Sequence, residues 1–341
     1  MRKINKNKLL LLVSMYSLLF LIGSLFSFAS ENQFAEQLDG VDPAEIVFAH
    51  AQTSDSSWAL AAEEFKEVAE KLSNGKLTVQ IYGEGQLGDQ RQTIEEIIVT
   101  GEIDVTMALE PLSYWFSGIN VYQLLYLFRD VDHLVAFEEG LVGKEFKEKL
   151  LEETGLRVLT YFQRTPRQLT SNRPINSLED LKGLKIRVTE SKTAIEGWKS
   201  LGASPVPMSF TELFTSLKQG VIDAQENPVY DGIYAYKFYE VQDYLSFTDH
   251  AISSVYVIIS EKKYKSLPEV YQKILVQAAN EAQRFERDFT EEMELKAIEA
   301  LKEYGMEFTY PDKGPFIEAA KKSWEFFPEL MDWAEKIQAI Q

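Results

Sequence analysis

The segment Gly183-Leu-Lys-Ile-Arg-Val188 reads as a short strand with one face turned inward. Leu184, Ile186 and Val188 alternate with Lys185 and Arg187, the period-two pattern of a half-buried strand. Arg187 then lies near the strand's C-terminal end, where open α/β sheets hold their ligands. A guanidinium at that position offers a planar, bidentate fork to a carboxylate. The surroundings support an anion site. Between residues 163 and 187 stand six basic residues (Arg164, Arg167, Arg173, Lys182, Lys185, Arg187) and two acids (Glu179, Asp180), a local +4 in a chain of net charge −18. A solvated basic face accounts for Lys182 and Lys185. It accounts poorly for Arg187, which is interleaved with apolar neighbours.

Downstream, Asp223-Ala-Gln-Glu-Asn-Pro228 closes a strand read at 221–224. Pro228 biases Asn227 toward extended backbone, so Asn227 is either a hydrogen-bond partner for a ligand oxygen or a plain turn residue. Other strands are read at 46–50, 77–82, 105–109, 157–161, 251–260 and 307–310. Helical spacing occurs at 57–72, 89–100, 192–201 and 211–219. The β-α-β-α-β order of the first 110 residues implies a parallel sheet with helices on its faces. From Pro268 to about Tyr304, apolar residues recur at helical spacing (Val270, Ile274, Ala278, Ala282, Phe285, Phe289). At about 1.5 Å per residue such a helix is roughly 55 Å long, enough to run across two lobes. Residues 315–338 read as one amphipathic helix. The fold class is therefore α/β with two lobes.

The chain has 341 residues, 45% apolar and 26% charged, a globular composition of about two domains. Its acidity argues against nucleic acid as a partner. The absence of cysteine excludes disulfides and thiol chemistry. Arg2, Lys3, Lys6 and Lys8 precede an apolar run at 9–28, and Ser27-Phe-Ala29 offers small residues at a cleavage site. This is the layout of a secretory signal peptide. A retained anchor is the alternative, since the run is long enough to span a bilayer. Either way the rest of the chain is extracytoplasmic. Without those four basic residues it carries 31 basic against 53 acidic side chains, a net −22.

Other motifs carry less. Gly83-Glu-Gly-Gln-Leu-Gly88 matches G-x-G-x-x-G between a strand and a helix, but in the second strand of the lobe and without a well-placed acid after it. A turn needing positive φ explains it as well. His50, His133 and His250 lack metal-ligand spacing. His50 and His250 each flank an apolar strand and so can border a cleft. No G-x-S-x-G, P-loop or H-E-x-x-H occurs.

Several stretches together identify a family resemblance: Gly85-Gln-Leu-Gly-Asp89, Leu127-Phe-Arg-Asp130, Arg167-Gln-Leu-Thr-Ser-Asn-Arg173, Asp180-Leu-Lys-Gly-Leu-Lys-Ile-Arg-Val188, Leu201-Gly-Ala-Ser-Pro-Val-Pro-Met208, Gly220-Val-Ile-Asp-Ala-Gln-Glu-Asn-Pro228 and Lys237-Phe-Tyr-Glu-Val241. The chain resembles the DctP-type solute-binding proteins of tripartite ATP-independent periplasmic (TRAP) transporters over nearly all of its length after the leader. The resemblance implies a periplasmic-binding-protein-like fold, with a ligand cleft between lobes and a long helix spanning both. It implies a receptor in the periplasm or at the cell surface, not an enzyme and without a cofactor. The receptor captures a small carboxylate and docks on small and large membrane subunits, as a monomer. The expected partition is a signal peptide at 1–29, a first lobe of 30–164 plus 254–290 and a second of 165–253 plus 291–341. The family's carboxylate-binding arginine falls on Arg187, a second ligand-facing arginine on Arg167, the ligand-contacting asparagine on Asn227, an aromatic wall on Phe210 and a cleft histidine on His250. Where sialic-acid binders tend to have Asn, Asp, Glu and Asn, this chain has His50, Gln90, Leu109 and Glu190. His50, Gln90, Glu110, Glu190 and Trp198 suit another polyol acid, a hexuronate or similar sugar acid first and a C4-dicarboxylate second. A secreted sugar-acid lyase or isomerase using His50 or His250 as base is the reading from a different class, and a ligand sensor for a signalling receptor a third.

Overall fold

The computed structural model describes residues 34–189 and 191–341. The leader and Glu190 lie outside the described residues. The first lobe opens with β1 (Ala44–Ala49), α1 (Ser57–Leu72), β2 (Leu77–Tyr82), α2 (Gln90–Val99) and β3 (Val105–Ala108). β1 pairs in parallel with both β2 and β3, the arrangement expected of the β-α-β-α-β order. The helix ends follow from local chemistry. Ser56 caps α1 by accepting from the Ala59 N–H at 3.2 Å, and Asp89 and Gln92 form a reciprocal capping box on α2.

After α3 (Val131–Glu139) and α4 (Leu141–Thr154) the chain returns as β4 (Leu156–Gln163) and crosses to the second lobe. There it forms β5 (Gln168–Ser171), β6 (Lys185–Val188), α5 (Lys192–Ser200), β7 (Ser204–Pro207), α6 (Leu213–Lys218), β8 (Ala224–Asn227) and β9 (Tyr244–Ser246). It recrosses into β10 (Ser254–Ser260), which inserts antiparallel between β3 and β4. The first sheet is thus mixed, in the order β2-β1-β3-β10-β4. A short α7 (Glu261–Ser266) leads into α8 (Glu269–Glu303), and β11 (Glu307–Thr309) completes a second sheet of order β11-β9-β5-β8-β6-β7.

The long α8 ties the lobes together. Val270, Tyr271, Ile274, Leu275, Ala278 and Ala282 pack into the core of the first sheet. Ala297 and Leu301 pack with Leu213, Leu217, Ile233 and Phe238 on one face of the second. Its 35 residues make a rod of about 53 Å. The two crossing segments are bonded to each other, Arg164 N–H to Ser253 O at 3.0 Å and Arg167 N–H to Ala251 O at 2.9 Å.

Three expectations change. The strand read at 221–224 lies at Ala224–Asn227. Val221 is still in the turn after α6, bonded to Ser216 O, and Asp223 is held at the edge of β6 by Lys185. Asn227 is therefore a strand residue. The helix read at 315–338 is broken into α9 (Gly314–Trp324) and α10 (Met331–Gln338) around Phe327-Pro328, because Pro328 has no N–H to continue the ladder. The break also moves the chain between lobes. Phe316, Ala319 and Ala320 join the second-lobe core, whereas Trp324, Phe327, Leu330, Ala334 and Ile337 join that of the first. The end of the expected 291–341 segment accordingly packs on the first lobe.

Candidate functional site

A cavity of about 820 Å³ lies between the two sheets, and a side chamber of about 340 Å³ adjoins it. Gln90, Glu110, Arg164, Phe210 and Asn227 line both. Arg187 lies on β6 as its pattern predicts. Leu184, Ile186 and Val188 are buried in the second-lobe core. Arg187, 5% exposed, lines the cavity. Its Nε donates to the Met208 carbonyl at 3.1 Å, and its guanidinium carbon sits 5.7 Å from the centroid of the Phe210 ring. The ring and the carbonyl restrict the rotamers of a long side chain, so little entropy is left to lose on binding.

Arg167 is embedded in a network. Its Nη2 donates to the Glu226 carbonyl at 2.8 Å, to Glu226 Oε1 at 3.1 Å and to Asn227 Oδ1 at 2.9 Å, while its Nε bonds Glu226 Oε2. His250 Nε2 stands 3.0 Å from the same Oε2, and its Nδ1 2.8 Å from Thr248 Oγ1. Asn227 Nδ2 donates to Gln225 Oε1 at 2.6 Å. Burial alone would push the Glu226 carboxyl up, but Arg167 and His250 overcome it and hold Glu226 far below the usual carboxylate range. Burial likewise works against the Arg167 charge, and Glu226 outweighs it. A second pair, Arg164 to Glu110 at 2.8 Å, lines the cavity from the first lobe.

The cavity brings together Arg187, Arg167, Asn227, Phe210, Gln90, Glu110 and Trp198. It leaves out others. His250 stands behind Glu226, edge-on to Trp198 with ring centroids 4.9 Å apart, and positions the network without lining the cavity. His50 is not a lining residue either. It is buried edge-on to Phe48 and lies under Gly83, where an added Cβ would come within 2.9 Å of the imidazole. Burial lowers the His50 pKa. The glycine motif is thus a loop over His50, with Gly85 and Gly88 at φ of 72° and 107°. Leu109 is buried in the first core. Glu190 lies outside the described residues, though its neighbours Thr189 and Ser191 line the cavity.

Sequence reasoning counted Arg164 only within the basic run and read Tyr230 and Tyr236 as helix packing, and it gave Trp58 and Asp231 no site role; all five wall the side chamber. Asp231 Oδ2 accepts from Ser57 Oγ at 3.1 Å, a contact across the cleft. It also overlooked two buried acids on α8. Glu286 accepts from the Gln163 N–H at 3.1 Å and from Thr290 Oγ1 at 2.9 Å. Glu294 accepts from the Tyr230 N–H at 2.8 Å. Burial pushes Glu286 up to about 8 and Glu294 to about 7. Glu286 was detectable, since it follows Ala278 and Ala282 at four-residue spacing on the apolar stripe. Among the described residues, no group of three His, Asp or Glu is arranged to hold a metal ion.

Residues 48–330 match the model of the bacterial extracellular solute-binding proteins, family 7. The 2,3-diketo-L-gulonate-binding periplasmic protein of Escherichia coli is 35% identical over 278 residues, 80% of this chain and 83% of its own. A TRAP periplasmic solute-binding protein of Roseobacter denitrificans, solved with bound L-galactonate, is 33% identical with a TM-score of 0.77, covering 88% of this chain and 100% of that one. Another from Xanthobacter autotrophicus, solved with bound β-D-galacturonate, is 30% identical with a TM-score of 0.77, covering 87% and 100%.

Proposed function

The chain belongs to the bacterial extracellular solute-binding proteins of family 7, and from that premise we propose that it is an extracytoplasmic receptor for a sugar acid. The observation that carries this reading is Arg187, held on β6 by the Met208 carbonyl and the Phe210 ring and lining the cavity between the lobes. The ligand carboxylate docks bidentately on Arg187, with Asn227 and Arg167 beside it. The hydroxyls meet polar side chains from both lobes, including Gln90, Glu110 and Thr189. Closure of the lobes expels water, which strengthens each charge-assisted bond in the cleft. The liganded monomer then presents its closed surface to the membrane subunits of a TRAP transporter. Three relatives or neighbours with sugar-acid ligands in their names support the ligand class.

Calorimetry with galactonate, galacturonate, glucuronate and succinate tests the proposal. A sugar acid should bind near micromolar, about −8 kcal/mol, and be recovered chemically unchanged. Arg187→Ala should weaken it by about 100-fold or more, since a charge-assisted pair inside a dry cleft contributes on the order of 3 kcal/mol. Retained affinity in that variant, or tighter binding of succinate than of every sugar acid, overturns it.

A further inference from the structure

The side chamber differs chemically from the arginine end of the cavity. Its lining includes three acids, Asp55, Glu110 and Asp231, together with Tyr230, Tyr236 and Trp58. Among the described residues, its one lining cation is Arg164, already paired with Glu110. The walls come from opposite lobes. Gln52 to Trp58 belong to the loop and first turn of α1, and Asn227 to Tyr236 to the end of β8 and the π-helical turn Val229–Tyr234. Asp231 and Ser57 join the two walls. A carboxylate has about four acceptor sites, so the Ser57 hydroxyl and N–H leave Asp231 able to take further donors.

We propose that this chamber is the subsite for the distal hydroxylated carbons of a sugar acid, with Asp231 as the acceptor that selects a long polyhydroxy monoacid over a short acid or a diacid. The inference rests on the receptor reading above and adds to it which end of the ligand is discriminated, and by what. A ligand anchored at Arg187 reaches the chamber past Phe210 and Asn227, which border both spaces. Hydroxyl groups donate to Asp231, and the C–H faces of the polyol lie against Trp58 and Tyr236. A second carboxylate at the same depth meets Asp55 and Asp231 with like charge, and its desolvation is not repaid. A four-carbon acid, two carbons shorter than a hexonate, fills less of the chamber and leaves more of its polar groups without ligand partners. Because the walls belong to different lobes, a filled chamber also favours the closed form.

The test is calorimetry on the wild type, Asp231→Asn and Tyr236→Phe with three probes: galactonate, erythronate (the four-carbon monoacid) and galactarate (the six-carbon diacid). The wild type should prefer galactonate to each of the others by about tenfold or more. Asp231→Asn should weaken galactonate by about tenfold, leave erythronate within about twofold, and narrow the gap to galactarate. Tyr236→Phe removes one hydroxyl from a half-exposed ring, so it retains the fold, and should weaken galactonate but not erythronate. Equal losses for galactonate and erythronate, or none for either, overturn the subsite while leaving the receptor reading intact. A wild type that binds no sugar acid overturns both.

Discussion

Replacing Glu286 by glutamine should change how stability depends on pH. Glu286 is fully buried on α8, where it accepts from Gln163 N–H and Thr290 Oγ1 at the point where the chain leaves the first sheet. Burial lifts its pKa from an ordinary 4.5 to about 8, and nearby Asp231 pushes the same way. Below pH 4.5 the folded and unfolded chains both hold the proton. Between 4.5 and 8 only the folded chain does, so stability falls as pH rises through that window and levels off above it. At about 1.4 kcal/mol per unit, the full shift corresponds to on the order of 5 kcal/mol. The amide introduced by Glu286→Gln would keep an acceptor for the Gln163 N–H and carries no charge at any pH. Urea unfolding at pH 5, 7 and 9 should therefore show the two proteins within about 1 kcal/mol at pH 5. At pH 9 the variant should be more stable by up to the full shift. Glu294, raised to about 7 on the same helix, contributes to both proteins and cancels in the difference. Parallel profiles across this range would mean that Glu286 is ionised in the folded protein and would rule out the raised pKa.

Two further outcomes test the packing around the site. Glu226→Gln leaves the Arg167 guanidinium buried beside a neutral amide, which should cost about 3–5 kcal/mol of stability. Adding Arg167→Met should recover much of the loss in urea unfolding, and a single variant within about 1 kcal/mol of the wild type would refute the coupling. Gly83→Ala places a methyl 2.9 Å from His50 Cε1 and 3.2 Å from Nε2, an overpacking that should cost about 1–3 kcal/mol. The same change in a His50→Ala background should cost less. An equal cost in both backgrounds would show that His50 does not sit beneath this loop.

The readings that succeeded rest on local periodicity. The apolar alternation around Arg187 requires its side chain to face away from Leu184, Ile186 and Val188, whatever the rest of the chain does. The apolar stripe from Val270 to Leu301 likewise demands a helix too long for one lobe. The readings that failed depended on distant partners. His50 ends an apolar strand, as a cleft residue would, yet Gly83 covers it. Asp223-Ala-Gln-Glu-Asn-Pro228 is polar enough to read as a turn, but β5 and β6 pair with part of it and make it a strand.

Local patterning was enough for the α/β class, the spanning helix and the arginine at a strand end, because 2.0 and 3.6 periods are properties of the backbone within a few residues. It took the packed molecule to establish that β10 inserts antiparallel, that the chain after Trp324 returns to the first lobe, and that Asp231 meets Ser57 from 174 residues away to wall a chamber. Those outcomes follow from which apolar faces cover one another and which buried polar groups find partners. Such choices are made between segments that no local pattern connects.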